Sequence, residues 1–333
     1  MNIQNRPFIS IVIPCYNEKE FIGQCLDSII DNDYPKDLLE VLVVDGMSSD
    51  GSRDIVKTYI ERHYFIKLLD NPKKITSCAF NAGIKISSGD VVMLMGSHSI
   101  YKNDYISQCI KYLLEYNADN VGGIIKTVPG SKTHTAKAIA LSLTHPFGVG
   151  NSAFRIGATK PQWVDTVFGG CYKRKVFETI GYFNENLVRS QDMDFNIRLT
   201  AAGGRILLVP TIVSKYYAKK TIKEFFNHNF DDGLWAIYPL KFGSSIFKIR
   251  HLVPLAFVLS IFGGLVLSLF WILFLFLVLG ILSIYLFTSL YFSLKLALKS
   301  RNLRYLFILP IIFASRHFGY GFGSLLALIK INI

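Results

Sequence analysis

The chain has 333 residues, which fits about two domains at ~150 residues each and excludes a small scaffold stapled by disulfides or metal. With 51% hydrophobic residues, 26 Phe and a mean hydropathy of +0.34, it is too apolar for a disordered chain and more apolar than an ordinary soluble enzyme, so part of it is expected to meet lipid. The net charge of +12 is uneven: from Gly233 onward there are nine Lys/Arg and no Asp/Glu, leaving +3 for residues 1–232. Because these cations flank uncharged stretches, they fit anionic lipid headgroups and exclude a nucleic-acid partner. Five widely spaced cysteines with no C-x-x-C pair read as reduced thiols of a cytosolic body, and the N-terminus shows no apolar run of signal-peptide length.

In chain order, residues 8–13 form a short β-branched run ending at Pro14, a buried strand. Residues 18–30 place Phe21, Ile22, Cys25, Leu26, Ile29 and Ile30 at helical spacing, and Asp33-Tyr-Pro35 closes that helix. Strands are expected at 39–44, 66–69, 91–95 and 120–126, and helices at 54–61, 76–86, 105–116 and 133–143, before a Gly-rich stretch at 147–157. Strands alternating with helices imply a Rossmann-like α/β body with a mostly parallel sheet and right-handed crossovers. Such sheets bind ligands beyond the carboxyl ends of their strands, so the loops at 14–18, 45–52 and 96–99 should converge.

Residues 221–237 place Ile222, Phe225, Phe226, Phe230 and Leu234 on one face, which reads either as an interfacial helix or as ordinary packing against the body. Residues 252–294 contain no charged side chain, whereas one crossing needs ~20 residues, so a hairpin of two spans fits. Lys241, Lys248 and Arg250 precede it and Lys295, Lys299, Arg301 and Arg304 follow it, which puts both flanks in the cytoplasm. The segment 305–329, interrupted by Pro310 and Arg316-His317, reads as a third span or a re-entrant segment.

No G-x-G-x-x-G follows the first strand, and no G-x-x-x-x-G-K-[ST] string occurs, so dinucleotide oxidoreductases and P-loop NTPases lack support. Instead the chain carries Ser10-Ile-Val-Ile-Pro14-Cys-Tyr16-Asn17-Glu18 and Val43-Val-Asp45-Gly-Met-Ser-Ser-Asp50-Gly-Ser, then Asn81-Ala-Gly83, Ser88-Gly89-Asp90 and Gln191-Asp192. In order and spacing these motifs resemble glycosyltransferase family 2, whose catalytic body is a GT-A fold. Phe147-Gly-Val-Gly-Asn-Ser-Ala-Phe-Arg155, Val167-Phe-Gly-Gly-Cys-Tyr-Lys-Arg174 and His317-Phe-Gly-Tyr-Gly-Phe-Gly323 extend the likeness to its membrane-bound branch of succinoglycan-biosynthesis ExoA type.

That resemblance implies an inverting transfer of a sugar from a nucleotide-diphosphate donor, UDP-linked in expectation, to a lipid-linked oligosaccharide in surface polysaccharide biosynthesis. Membrane lipids and other glycan-assembly proteins are the further partners it implies. The motifs place Pro14, Tyr16, Asn17, Glu18, Asp45, Asp50, Asn81, Gly83 and Ser97 at the donor. Asp45, at a strand end, could accept a hydrogen bond from a base or ribose, or belong to a turn, and Tyr16 offers an aromatic surface to the base. Glu18 is a nucleotide contact or a helix-start acid, and Asp50 a nucleotide contact or a cap for the following helix. Asp192 occupies the place of the family's catalytic acid, where an ionised carboxylate can take the acceptor's proton; capping its own helix is the alternative.

Gln191, Gly169, Gly170, Arg174 and Trp235 are expected at the acceptor, with surface charge the alternative for Arg174. Family members close the fourth strand with D-x-D, whose acids hold Mg²⁺ or Mn²⁺ against the diphosphate. Here Met95-Gly96-Ser97-His98 keeps only His98 as a ligand, and Gly96 removes a carboxylate that a hard divalent ion prefers. Metal held by His98 with diphosphate and water, neutralisation by Lys or Arg without metal, and a catalytically impaired nucleotide-binding membrane subunit all stay open. Asp192 and Asp194, near one helix start, should diverge rather than chelate together.

The expected layout is a cytosolic GT-A domain over 1–220, an amphipathic linker over 221–250 and a membrane region over 251–333, in a multi-pass protein of the inner cell membrane with its catalytic domain in the cytoplasm.

Overall fold

The structure is a computed structural model that describes residues 6–243 and 249–331; Lys248, in the expected linker, lies outside the described residues. The chain divides into two compact units: Met1–Lys126 with Gly157–Tyr216, and Thr127–Ile156 with Tyr217–Ile333.

The first unit is built on β1 (Ile9–Cys15), β2 (Leu39–Asp45), β3 (Ile66–Asp70) and β4 (Val91–Leu94), which pair in parallel in the order β3-β2-β1-β4. Every residue of β2 is buried, as a strand covered on both faces requires, so it reads as an unbroken apolar run apart from Glu40 and Asp45. Of the crossovers α1 (Ile22–Ile30), α2 (Ser52–Ile60) and α3 (Thr76–Ile86), the first two pack Ile22, Cys25, Leu26, Ile29 and Val56 into the core. Gly83 on α3 is demanded by that packing, since a Cβ there would lie 2.4 Å from Val12 Cγ1.

The sheet then turns mixed. Beyond β5 (Ser99–Tyr101), α4 (Tyr105–Glu115) and β6 (Asn120–Val128), the later strands of the first unit are β7 (Gln162–Val164), β8 (Phe168–Lys173) and β9 (Ile206–Tyr217). β8 runs antiparallel to both β4 and β6, and β9 antiparallel to β5 and β7. The full order is β3-β2-β1-β4-β8-β6-β9-β5, with β7 beside β9. This antiparallel half brings the segment after β8 back toward the parallel strand ends.

The second unit gathers α5 (His134–Ser142), the short α6 (Pro146–Val149) and α7 (Ala153–Ile156), then α10 (Ile222–Ile237), α11 (Ile249–Ser268), α12 (Ile272–Lys299) and α13 (Tyr305–Ile331); α8 (Arg174–Ile180) and α9 (Gln191–Ala201) belong to the first. A boundary at 220 places 127–156 with the body, but the structure groups that stretch with the C-terminal helices, because Ala138, Ile139 and Leu143 share a core with Phe225, Leu309, Ile312 and Phe313.

α11 and α12 are long and apolar enough to cross a membrane, with hydropathy 2.0 for His251–Ser268 and 2.5 for Ile272–Lys299. Most of their surface is exposed, which marks this unit as membrane-associated. The 305–329 segment is one continuous helix with Pro310 inside it, not a re-entrant turn. Its buried positions, including Leu309, Ile312, Gly319 and Gly323, recur at helical spacing.

α10 does not lie on a surface by its Phe stripe. Its buried line is Phe225, Asn229, Gly233, Ala236 and Ile237, rotated toward α13 because Gly233 and Gly323 let the two backbones meet. A Cβ on Gly233 would stand 2.0 Å from Tyr320 O. Thr221 and Glu224 start the helix as a reciprocal cap, Thr221 accepting from Glu224 N–H and Glu224 from Lys220 N–H.

Candidate active site

A cavity of about 340 Å³ opens in the first unit at the carboxyl ends of the parallel strands. Its wall is made by Pro14 near the end of β1, Tyr16 and Glu18 after it, Asn71 and Lys74 after β3, Gly96, Ser97 and His98 after β4, Gly169 on β8, and Gln191 and Asp192 at the start of α9. The expected convergence of strand-end loops is therefore observed for β1 and β4. The loop after β2 reaches the cavity only through Gly46.

Asp192 is held in place by the rest of its helix. Phe195 is fully buried among Tyr172, Phe177 and Phe183, and Asn196 accepts from Tyr172 Oη at 3.2 Å while donating to Thr166. Asp194 turns away to Arg198 at 3.0 Å, and Arg198 also donates to the carbonyls of Ile180 and Tyr182. The two acids of this D-x-D thus diverge, with Asp194 buried and Asp192 exposed toward the cavity.

On the opposing wall His98 Nδ1 lies 3.3 Å from Glu18 Oε1, and the imidazole stands edge-on to Tyr216. Tyr16, 47% exposed, presents its ring with Lys74 Nζ 5.4 Å from the centroid, a cation–π arrangement. Phe80 and Phe183 close the apolar side, 5.3 Å apart. Gly169 needs its freedom, with φ +69° and a Cβ position 2.9 Å from Leu94 O. The Cys15 thiol beside the cavity is pushed up to about 12 by burial and by Asp45, which makes it an inert thiol.

Several residues expected at the ligand prove to knit the scaffold. Asp45, 1% exposed, accepts from Ser48 N–H and Oγ and forms a 2.8 Å ion pair with Arg53, which also bridges to Asp70 at 2.7 Å. Asn17 takes φ +55°, donates its N–H to Ser48 Oγ and accepts from Ser49 N–H, so it ties the loop after β1 to the loop after β2. Asp50 joins the same loops, accepting from Ser52 N–H and Oγ and from Lys19 N–H; the Ser52 hydrogen bonds hold its carboxyl below the usual range. The short polar side chains after β1 and β2 therefore serve each other, and only Tyr16 and Glu18 reach the cavity.

Asn81 clamps the segment after α8: it donates to Phe183 O and Glu185 Oε1 and accepts from Phe183 N–H. Gly83 serves the Val12 contact described above. Gly170, with φ +143°, makes room for the Tyr172 ring. Arg174 donates to Gly89 O and Ser87 Oγ, which anchors the turn into β4 rather than facing a phosphate. Trp235 lies on α10 in the second unit, edge-on to Tyr238, and is not among the cavity's lining residues.

Lys74, Asn71 and Phe80 escaped the sequence reading. Their signal was available, because Asn71-Pro-Lys-Lys-Ile75 follows the third parallel strand and the strand-end rule applies to it equally.

At the Glu18–His98 pair a divalent ion finds one carboxylate and one imidazole nitrogen, while the cavity's other carboxylate, Asp192, stands on α9. Among the described residues no group of three His, Cys, Asp or Glu could hold a metal ion. The donor set thus fits an ion that arrives with a diphosphate and shares its oxygens, and does not fit one enclosed by protein alone.

Residues 10–181 match the family model Glycosyl transferase family 2. The chain belongs to glycosyltransferase family 2. Over 98% of both chains it is 30% identical to a dolichyl N-acetyl-α-D-glucosaminyl phosphate 3-β-D-2,3-diacetamido-2,3-dideoxy-β-D-glucuronosyltransferase of Methanococcus voltae. Over 78% of both chains it is 28% identical to the succinoglycan biosynthesis protein ExoA of Rhizobium meliloti. Among solved structures it is similar to the mannosyltransferase PcManGT from Pyrobaculum calidifontis in complex with GDP-Man and Mn²⁺, with a TM-score of 0.55 and 21% identity over 70% of this chain and 63% of that one. At that identity the likeness shows the fold, which is GT-A. The enzyme is a membrane-associated family 2 glycosyltransferase with a mixed-sheet GT-A unit.

Proposed function

We propose that this enzyme transfers a sugar, with inversion at the anomeric carbon, from a UDP-linked donor in the cavity to a lipid-linked glycan in the assembly of a surface polysaccharide. The observation that carries the reading is the position of Asp192, whose carboxylate borders the same cavity as Tyr16, Glu18, Ser97 and His98. The acceptor hydroxyl oxygen bonds to the anomeric carbon as the bond from that carbon to the diphosphate oxygen breaks. The hydroxyl proton passes to Asp192. Tyr16 offers its face to the base, and Lys74 brings a positive charge to the donor side. Glu18 and His98 would hold a divalent ion against the diphosphate, and such an ion, when bound, supplies charge neutralisation for the leaving group. Gly169 and Gln191 border the acceptor side.

The lipid-linked acceptor is supported by the full-length similarity to an enzyme named for a dolichyl-linked substrate, and the polysaccharide by the similarity to ExoA. Both flanks of the α11–α12 hairpin carry cations, which supports a multi-pass protein with the GT-A unit in the cytoplasm. Incubation of the purified enzyme with UDP- and GDP-sugars, with and without Mn²⁺, tests the reading. UDP release together with a product of inverted anomeric configuration is expected. Turnover with GDP-sugars alone, or retention of configuration, would reject it.

A further inference from the structure

Within the second unit α13 meets α10 along one side. Arg316 Nη1 donates to Asn229 Oδ1 at 2.7 Å, Ser324 Oγ donates to Gly233 O at 3.0 Å, and Lys241 Nζ donates to Lys330 O at 3.4 Å. Gly319 and Gly323 complete that side: a Cβ on the first would lie 3.0 Å from Phe226 O, and none fits on the second against Phe230 O. These contacts run from residue 316 to residue 330, about 21 Å of α13 at a helical rise of 1.5 Å per residue. Along that length α10 and the turn after it carry Asp231, Asp232 and Lys241, with Lys223 and Glu224 at the start of the helix.

The opposite side of α13 is apolar. Phe307, Ile311, Phe318, Phe322 and Ile329 follow one another at steps that keep one helix face, half a turn from the residues that meet α10. Phe307, Ile311 and Ile329 are each more than half exposed. Between them the apolar hairpin joins this same side: Phe318 stands 5.3 Å from Phe257, Phe322 stands 5.4 Å from Phe262, and Gly321 leaves no room for a Cβ against Pro254 O and Val258. On α10, Glu224, Asn227 and Asp231 share the side turned away from its buried line. The two helices thus make a layer with one polar and one apolar face, and α11, long and apolar enough to enter a bilayer, packs on the apolar one. A third crossing by α13 does not fit this pairing, because it would carry the charges of α10 through the hydrocarbon alongside it.

We infer that α10 and α13 lie as a raft in the plane of the membrane, with the Phe307–Ile329 stripe of α13 seated against lipid and α10 above it in water, so that only α11 and α12 enter the hydrocarbon core. The bilayer surface is the partner of the stripe. An interfacial helix of this kind sits about 5–10 Å into the boundary between headgroups and acyl chains. The inference rests on the membrane hairpin, and on no property of the donor, the acceptor or Asp192.

The test measures depth. The full chain, reconstituted in vesicles of phosphatidylcholine and phosphatidylglycerol, is spin-labelled singly at Phe307→Cys, Ile311→Cys, Ile329→Cys or Asn227→Cys, and relaxation by oxygen, which dissolves in lipid, is compared with relaxation by a water-soluble nickel chelate. The five native cysteines are buried, and the labelled parent chain supplies the background. These positions are exposed, so the label displaces no packed side chain; parent-like melting confirms the fold, and Ile311 stands in for Phe307 if that variant does not fold. Residues 307 and 329 are about 33 Å apart along the helix, yet the raft predicts lipid contact at nearly one shallow depth for the three α13 labels, with the label at 227 in water. A difference in depth of about 20 Å or more between 307 and 329 would make α13 a span and overturn the inference. Chelate access at all three α13 labels, or exclusion of both reagents as by a second copy of the chain, would remove lipid as the partner of the stripe. A label at 227 shielded from the chelate would also overturn the raft. Loss of sugar transfer on a UDP-linked donor would leave these depths unmoved, so the two readings fail separately.

Discussion

The first unit carries 21 Lys/Arg and 21 Asp/Glu, the second 15 and 3, so the chain's entire +12 resides in the second. The two treat their charges differently. In the first unit acids meet bases: Asp45 and Asp70 share Arg53, Glu185 takes Lys73, and Asp194 takes Arg198. In the second, Arg304 meets His134 at 2.8 Å and Lys295 covers a tyrosine. A balanced unit can hold its loops by its own ion pairs. An unbalanced one is stable beside something anionic, and lipid headgroups are the surroundings its exposed apolar helices already require.

The contrast is broken most severely by taking the base from a buried acid. Arg53→Ala leaves Asp45 buried with only Ser48 to satisfy it, and should lower stability by about 3 kcal/mol in a thermal or denaturant melt; an unchanged melt would show that the ion triad does not hold the strand-end loops. Gly83→Ala pushes a methyl into Val12 and should cost about 1–3 kcal/mol by overpacking, read in the same melt.

A smaller effect should appear in acid. Lys73 and Asn81 hold the Glu185 carboxyl down at about 2, against an ordinary 4.5. Because the folded value is the lower one, its stabilisation is complete above about pH 4.5 and is lost as pH falls toward 2. Glu185→Gln should therefore flatten the melting temperature between those values, and a profile parallel to the parent's would remove this clamp from the account. At the bottom of the scale, Arg304→Ala removes an exposed cation that meets His134 and should leave stability within about 0.5 kcal/mol. A large loss there would mean that the second unit also depends on its cations for folding.

Much of the first unit was legible because β1, β2 and β4 are buried on both faces and read as near-continuous apolar runs, and α3 over Thr76–Ile86 follows its periodicity to the residue. Of the antiparallel half only β6 was legible. β8 carries Gly169-Gly170 after its first residue and β9 contains Pro210, both signals that ordinarily argue against a strand. In the membrane unit the apolar stripe of α10 misled, because Gly233 and Asn229, neither of them apolar anchors, decide which face meets α13.

At the site, Tyr16, Glu18, Ser97, His98, Gly169, Gln191 and Asp192 line the cavity. Asp45, Asn17 and Asp50 do not, and their types could not reveal it. A short polar side chain after a strand looks the same whether it meets a nucleotide or a neighbouring loop, and the partners that decide, Ser48, Arg53 and Ser52, are visible only once the loops are folded.

The central claim is that Asp192 works as the base for a sugar donor bound across from it. The direct measurement is transfer rate and donor affinity of Asp192→Asn side by side. The account predicts a fall in turnover of about 10²–10⁴-fold with donor binding unchanged. Full turnover, or loss of donor binding in parallel with rate, would contradict it.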